Sequence, residues 1–293
     1  METRTLILTA LAPAVWGSTY IVATQFLPGW SPLWVACLRA LPAGLLLLIA
    51  LRVLPTGVWW GRVVILGALN FTVFWTCLFI AAYRLPGGVA AILGALQPIM
   101  VMALSHLLLG QRIRTRAALA ALMGATGVGL LVGAPAAQLD TIGVIAGLAG
   151  AASMALGVVL TRAWQPPVSP LVFTSWQMTA GGALLLPAAL LSDAMPGTLD
   201  ASSMLGLLYL AVIGGALTYV LWFSGIARIG PSLASTLGLL SPLSAAILGY
   251  VFLGEALSGP QAIGACIVIA SVWWSQRALR ATATSAHVGA MKS

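Results

Sequence analysis

Residues 93–111 read LGALQPIMVMALSHLLLGQ, and residues 237–255 read LGLLSPLSAAILGYVFLGE. Laid over one another at an offset of 144, they align Gln97-Pro98 with Ser241-Pro242 and Leu109-Gly110-Gln111 with Leu253-Gly254-Glu255. Each is an apolar run of helical length, and its proline falls near the middle of the longer helix predicted around it. The same offset pairs Trp75 with Tyr219, Phe79 with Phe223 and Arg84 with Arg228. An offset of 138 pairs Ser31-Pro32 with Ser169-Pro170, and Gly44 with Gly182. The chain reads as an internal repeat.

Composition says where such a repeat can live. Only 6% of the 293 residues are charged, 61% are hydrophobic, and the mean hydropathy is +1.07. Soluble domains carry roughly 25% charged residues, and no compact soluble fold hides this much apolar surface. Disorder is excluded by the same arithmetic. The apolar runs are long and continuous, which favours helices over the short alternating strands of a barrel. Breaks at Pro, Gly and charge predict ten membrane helices, over 5–27, 32–52, 61–83, 86–109, 115–133, 141–161, 169–191, 203–225, 231–253 and 259–277. The first of these lacks a small-residue cleavage site and is expected to stay as a helix.

Five helices per half is an odd number, so the second half must enter the bilayer from the opposite side. The expected fold is all-α: two inverted-topology five-helix repeats, over 1–137 and 138–280, followed by a disordered cytoplasmic tail over 281–293. Inverted repeats are a recurring plan of secondary transporters, with the substrate near the midplane at the repeat interface.

The net charge of +8 then records topology rather than an affinity for nucleic acid. With both termini cytoplasmic, the inner side collects Arg4, Arg52, Arg62, Arg112, Arg114, Arg116, Arg162, Arg228, Arg277, Arg280 and Lys292. Arg84 falls outside with Asp140, Asp193, Asp200 and Glu255. Trp59, Trp60, Trp273 and Trp274 fit an inner aromatic belt, and Trp30 and Trp34 an outer one. Cys37, Cys77 and Cys266 lie in apolar runs without metal or redox spacing and read as small packing residues. No metal or cofactor is expected.

These residues carry a family resemblance. Trp16-Gly17-Ser18-Thr19-Tyr20, Arg39-Ala40, the mid-helix prolines Pro98 and Pro242 and the Leu-Gly-Glu-Ala-Leu run at 253–257 resemble the drug/metabolite transporter superfamily, in its ten-helix EamA-type branch. The likeness extends to about residue 278 and is greatest to bacterial exporters of aromatic amino acids. It implies a multi-pass protein of the bacterial inner membrane, monomeric, with a small-molecule substrate. Two departures stand out. Gln111 replaces the acid that the second repeat keeps as Glu255, and the central helices lack the basic residues that phosphate-carrying relatives use.

The candidate pathway follows from residue type. Central prolines free a backbone carbonyl and bend a helix, so Pro98 and Pro242 are either hinges or static kinks. Arg39 is a charge well inside a span, open to two readings: an attractor for a substrate carboxylate, or a clamp on backbone carbonyls. Its mate at offset 138 is Gln177. Phe71, Phe74, Trp75 and Phe79, with Tyr219, Trp222 and Phe223, recur at helical spacing, and Trp16, Tyr20 and Trp176 add to them. Such a set suits a planar apolar ligand or ordinary packing. Gln97 and Ser241 either bond a substrate or satisfy groups freed by the prolines. His106 reads as interfacial. Gly143-x-x-x-Gly147 and Gly124, Gly127 and Gly129 read as close helix contacts.

A membrane enzyme would need a nucleophile or a carboxylate pair near an interface, and two histidines with scattered acids supply neither. A channel would not need repeat-related prolines. The expected function is export of amino acids, aromatic or hydrophobic neutral ones favoured, by alternating access. A different metabolite or drug, or a channel-like facilitator, is the alternative.

Overall fold

The structure is a computed structural model that describes residues 2–84, 93–113, 115–132, 140–192, 200–253, 258–260 and 262–274. The proposed tail, the 137/138 boundary, Glu255 and the topological charges Arg114, Asp193, Arg277, Arg280 and Lys292 lie outside those residues, as does the side chain of Tyr20. Among the described residues all regular structure is helical.

Among the described residues six helical stretches are long and apolar enough to cross a membrane: Thr3–Ala23, Pro32–Leu51, Trp59–Ala81, Thr141–Trp164, Ala201–Ile229 and Pro231–Phe252. Shorter apolar helices cover Leu93–Leu109, Thr115–Leu130 and Ala262–Trp274, and a further helix runs Pro170–Ser192. Large apolar side chains face outward along them, including Leu46, Ile49, Leu107, Leu191 and Phe252. A hydrocarbon solvent is the condition under which such a surface is stable.

Several helices that read as continuous are broken. The first splits into Glu2–Trp16 and Thr19–Phe26, with a tight turn at Gly17-Ser18. Gly17 is needed there for close approach, since a Cβ would stand 2.6 Å from the Ser241 carbonyl oxygen. Pro98 and Pro242 occupy the first turns of the Gln97–Leu109 and Leu240–Leu253 helices rather than the middle of unbroken ones. At a first turn the missing N–H costs nothing. Turns at Leu93–Leu96 and Ser235–Gly238 precede them.

Two other helices change pitch. Between Trp59–Gly67 and Phe74–Arg84 the backbone widens to a π-helix over Ala68–Val73, and between Ala201–Leu208 and Thr218–Ile229 it does so over Tyr209–Leu217. Shifted by 144, residues 68–73 fall on 212–217, so both halves carry the feature at one place.

The core is built on the Pro32–Leu51 and Pro170–Ser192 helices. A Cβ on Gly44 would stand 2.5 Å from the Thr179 nitrogen, and one on Gly182 would stand 2.7 Å from the Leu41 Cα. Gly182 and Thr179 are the offset-138 mates of Gly44 and Leu41, so this is one contact made twice about a local two-fold. Farther along, the Cys37 thiol reaches the Gly182 carbonyl and Trp176 reaches Val53. Partner numbers fall on one helix as they rise on the other, so the two run antiparallel.

The expected aromatic belts are only partly outward-facing. Trp60 and Trp273 are exposed, but Trp30, Trp34 and Trp59 are buried between helices. Burying an indole against neighbouring helices competes with placing it in the headgroup region, and here the helices are close enough to enclose it. Cys37 is buried, Cys77 half-buried, and Cys266 faces outward.

Candidate functional site

The site lies where the two π segments face the antiparallel helix pair. A π turn shifts the hydrogen-bond register and is frequent at functional positions. In the second segment the Gly214 carbonyl accepts from Arg39 Nη2 at 2.6 Å and from Thr218 Oγ1 at 2.9 Å. In the first, the Leu69 carbonyl accepts from Ser153 Oγ at 2.8 Å. Arg39 itself is 4% exposed, its guanidinium lies 4.5 Å from the Trp75 ring centroid, and its Nε has no hydrogen-bond partner.

Aromatic rings close the centre. Trp75 and Tyr219, mates at offset 144, touch each other: Trp75 Nε1 donates to Tyr219 Oη at 3.2 Å. Residues related by a two-fold meet only at its axis, so this bond marks the axis. Phe71 packs against both rings, 5.2 Å from Trp75 and 4.6 Å from Tyr219. Trp16 covers the other side, 5.0 Å from Tyr219 and 5.1 Å from Trp222, and its Nε1 donates to Thr218 Oγ1 at 2.8 Å. From Tyr219 a file of rings leads through Phe223, Phe173 and Trp59 to Trp176, with neighbouring centroids 5.3–6.5 Å apart. Phe71, Trp75, Tyr219 and Phe223 are each no more than 2% exposed. The rings fill the centre by packing on one another.

The remaining candidates are spread out. Trp176 sits at the far end of the file, donating to the Val53 carbonyl at 2.6 Å, near the Arg62 guanidinium that stacks on Trp59 and Trp164. Phe79 is half-buried and packs toward the Leu27, Trp30 and Leu207 cluster. Ser241 meets the Gly17 break, and the neighbouring Ser244 hydroxyl donates to the Ala14 carbonyl at 2.6 Å. Gln97 opens the Gln97–Leu109 helix with its amide nitrogen buried and unpartnered. His106 shares a hydrogen bond with the Gln111 carbonyl at 2.9 Å on an exposed surface.

Sequence reasoning missed Asn70. Its Nδ2 donates to Gln177 Oε1 at 2.7 Å, with both residues fully buried, and the other amide atoms, Asn70 Oδ1 and Gln177 Nε2, lack partners. A lone amide inside the apolar run 63–75 was the available signal. Tyr209 was also missed; its hydroxyl shares a 2.7 Å hydrogen bond with Ser18 Oγ.

Among the described residues the other charges lie at or near helix ends. Asp140 and Asp200 cap helices through the Gly143 and Ser203 N–H groups, and Arg84 pairs with Asp140 at 3.3 Å on the surface. Hydrogen bonding with Ser203, through its side chain and then its backbone, holds the Asp200 carboxyl below the usual carboxylate range. One buried cation among aromatic rings and amides can bind and orient a solute. It offers no nucleophile–base pair for covalent chemistry.

Comparison with known proteins gives the same architecture. The model of the EamA-like transporter family matches the chain twice, over residues 3–133 and 141–276. Protein PecM of Dickeya dadantii is 45% identical over 263 residues, covering 89% of this chain and 88% of its own. The uncharacterized inner membrane transporter YedA of Escherichia coli K12 is 26% identical, covering 88% and 86%. A crystal structure with 20% identity superposes with a TM-score of 0.82 over 96% of this chain and 99% of its own, which shows the shared fold.

Proposed function

This chain belongs to the EamA-like transporter family, a multi-pass membrane transporter rather than an enzyme, and from that premise we propose that it exports amino acids, aromatic or hydrophobic neutral ones favoured, across a bacterial inner membrane. In this reading ten helices form two inverted five-helix repeats, 1–137 and 138–280, with both termini cytoplasmic. The protein acts as a monomer. The observation that carries the reading is the packed aromatic centre around Arg39 on the axis between the halves. An aromatic side chain exchanges one ring contact for another when it enters there. Phe79, Gln97, Trp176, Gln177 and Ser241 extend the pathway from that centre, and Tyr20 is assigned to it on the sequence alone.

Alternating access requires the halves to rock about a fixed site. The breaks before Pro98 and Pro242, together with the paired π segments, supply matching points of flexure in both halves. The antiparallel Pro32–Leu51 and Pro170–Ser192 helices supply the central contact on which they turn.

Purified protein in liposomes loaded in turn with Trp, Phe, Thr, Ala and a cationic dye tests this. Saturable Trp and Phe efflux, lost in Trp75→Ala, is the expected result. Movement of another cargo alone overturns the aromatic assignment, and flux that never saturates replaces the transporter with a facilitator.

A further inference from the structure

Two hydrogen bonds tie the halves together at related places, and they differ in charge. Arg39 donates to the Gly214 carbonyl, and Asn70 donates to Gln177. Gln177 is the mate of Arg39 at offset 138, and Gly214 is the mate of Asn70 at offset 144. One tie is therefore neutral, amide to amide, and the other uses a full positive charge. A neutral tie suffices at its own site. The charge on the other needs a separate reason, because a cation inside a span without a counter-charge is costly.

Among the described residues, the surroundings of Arg39 leave it one anion short. Its partners are a carbonyl and an indole face, both only partially negative, and Nε is buried without a partner. Of the acids among the described residues, Asp140 and Asp200 cap helix starts, and Glu2 is the first residue of the first helix. A guanidinium holds five N–H donors in a planar fork that matches a carboxylate. Here part of that fork is unused and faces no acid among the described residues.

We propose that Arg39 anchors a carboxylate on the transported solute, beside an aromatic or apolar body, and that the incoming oxygens take the guanidinium away from Gly214. This rests on the reading of the centre as the substrate site. Thr218 Oγ1 continues to donate to the Gly214 carbonyl, so the departure of Arg39 orphans no buried acceptor. The bond that breaks joins the two halves, while the Asn70–Gln177 tie stays. Binding of the anion thus releases one tie and leaves its mate intact, which couples occupancy to movement. The Phe71, Trp75 and Tyr219 rings take the apolar body.

The test uses the full chain with two probes that divide tryptophan between them. Indole-3-propionate keeps a carboxylate without an ammonium group, and tryptamine keeps the ammonium group alone. Indole-3-propionate is expected to raise the melting temperature in detergent and to compete with tryptophan flux in liposomes; tryptamine does neither. Arg39→Gln places the mate's own side chain at this position, keeping a donor for Gly214 and removing the charge. That variant should bind indole-3-propionate about tenfold or more weakly, the scale of one charge-assisted hydrogen bond, while melting without ligand no lower than the parent.

Equal binding of the two probes, or undiminished indole-3-propionate binding by Arg39→Gln, overturns the proposal. The comparison of probes on the unaltered chain decides even where the variant fails to fold. Tryptophan flux without indole-3-propionate binding refutes the anchor and keeps amino-acid export. Indole-3-propionate binding without flux of any amino acid does the reverse, and binding of neither probe with no amino-acid flux refutes both.

Discussion

The doubled glycine contact makes a quantitative demand. In Gly44→Ala the new Cβ would stand 2.5 Å from the Thr179 nitrogen and 2.8 Å from the Met178 carbonyl carbon. In Gly182→Ala it would stand 2.7 Å from Leu41 N, Cα and Cβ. Carbon atoms pack at about 3.5–4.0 Å, so the helices must part by roughly 1 Å. The obstacles are mainly backbone and cannot rotate aside. Overpacking costs about 1–3 kcal/mol, offset in part by the roughly 0.8–1 kcal/mol that Ala gains over Gly in a helix. Because the obstacles are backbone, the overpacking cost falls in the upper half of that range, and a net loss of about 1–2 kcal/mol is expected for each variant. The two losses should be of similar size, because each contact is the mate of the other. Cys37 is a reporter in place, buried with its thiol on the Gly182 carbonyl. In a background without Cys77 and Cys266, its reactivity toward a maleimide on heating reads the opening of this contact. Gly61→Ala is the control: nothing lies within 4 Å of its Cβ position, and it should be neutral or stabilising. Either core variant melting with the parent, or the two differing widely, refutes the two-fold contact.

Gly157→Ala would drive a Cβ into the Asn70 amide and push it off Gln177; a loss of about 1–3 kcal/mol is expected, reduced when combined with Asn70→Ala in a double-mutant cycle of thermal melts. Tyr219→Phe removes the acceptor for Trp75 Nε1, and an unpaired buried indole N–H should cost about 1–3 kcal/mol in the same assay. Asp200 is a case of pH. Its carboxyl is held below the ordinary range, so the capping contribution is complete above the unfolded value and is lost as pH falls through the folded one. Asp200→Asn keeps a capping oxygen and should melt with less pH dependence than the parent on the acid side, and an identical pH profile would refute that assignment.

Parts of the centre were legible before the fold. Trp75 and Tyr219 aligned at one offset and proved to touch, because mates in a two-fold pair can meet on the axis. Arg39 stood out as a charge in an apolar run, yet its residue type alone could not say whether it clamps a carbonyl. Asn70 passed unnoticed because one amide among apolar neighbours looks like tolerated noise until its partner, 107 positions away, is known. Ser241 and Gln97 aligned equally well and settle differently, Ser241 against the Gly17 break and Gln97 with a buried, unpartnered amide nitrogen, since alignment reports equivalence between halves and says nothing of which face a side chain takes.

The sequence by itself determined the solvent, the helical class and the repeat. Each follows from composition or from periodicity along one chain, which need no knowledge of neighbours. Only the tertiary structure decided where helices break, which glycines pack on backbone, and that the mates Arg39 and Gln177 each tie to the opposite half. Those outcomes depend on two surfaces approaching to within a hydrogen bond or a methyl radius. A break at Gly17 or a widened turn at Gly214 is selected by the helix it meets, and the residues that meet it lie more than 150 positions away.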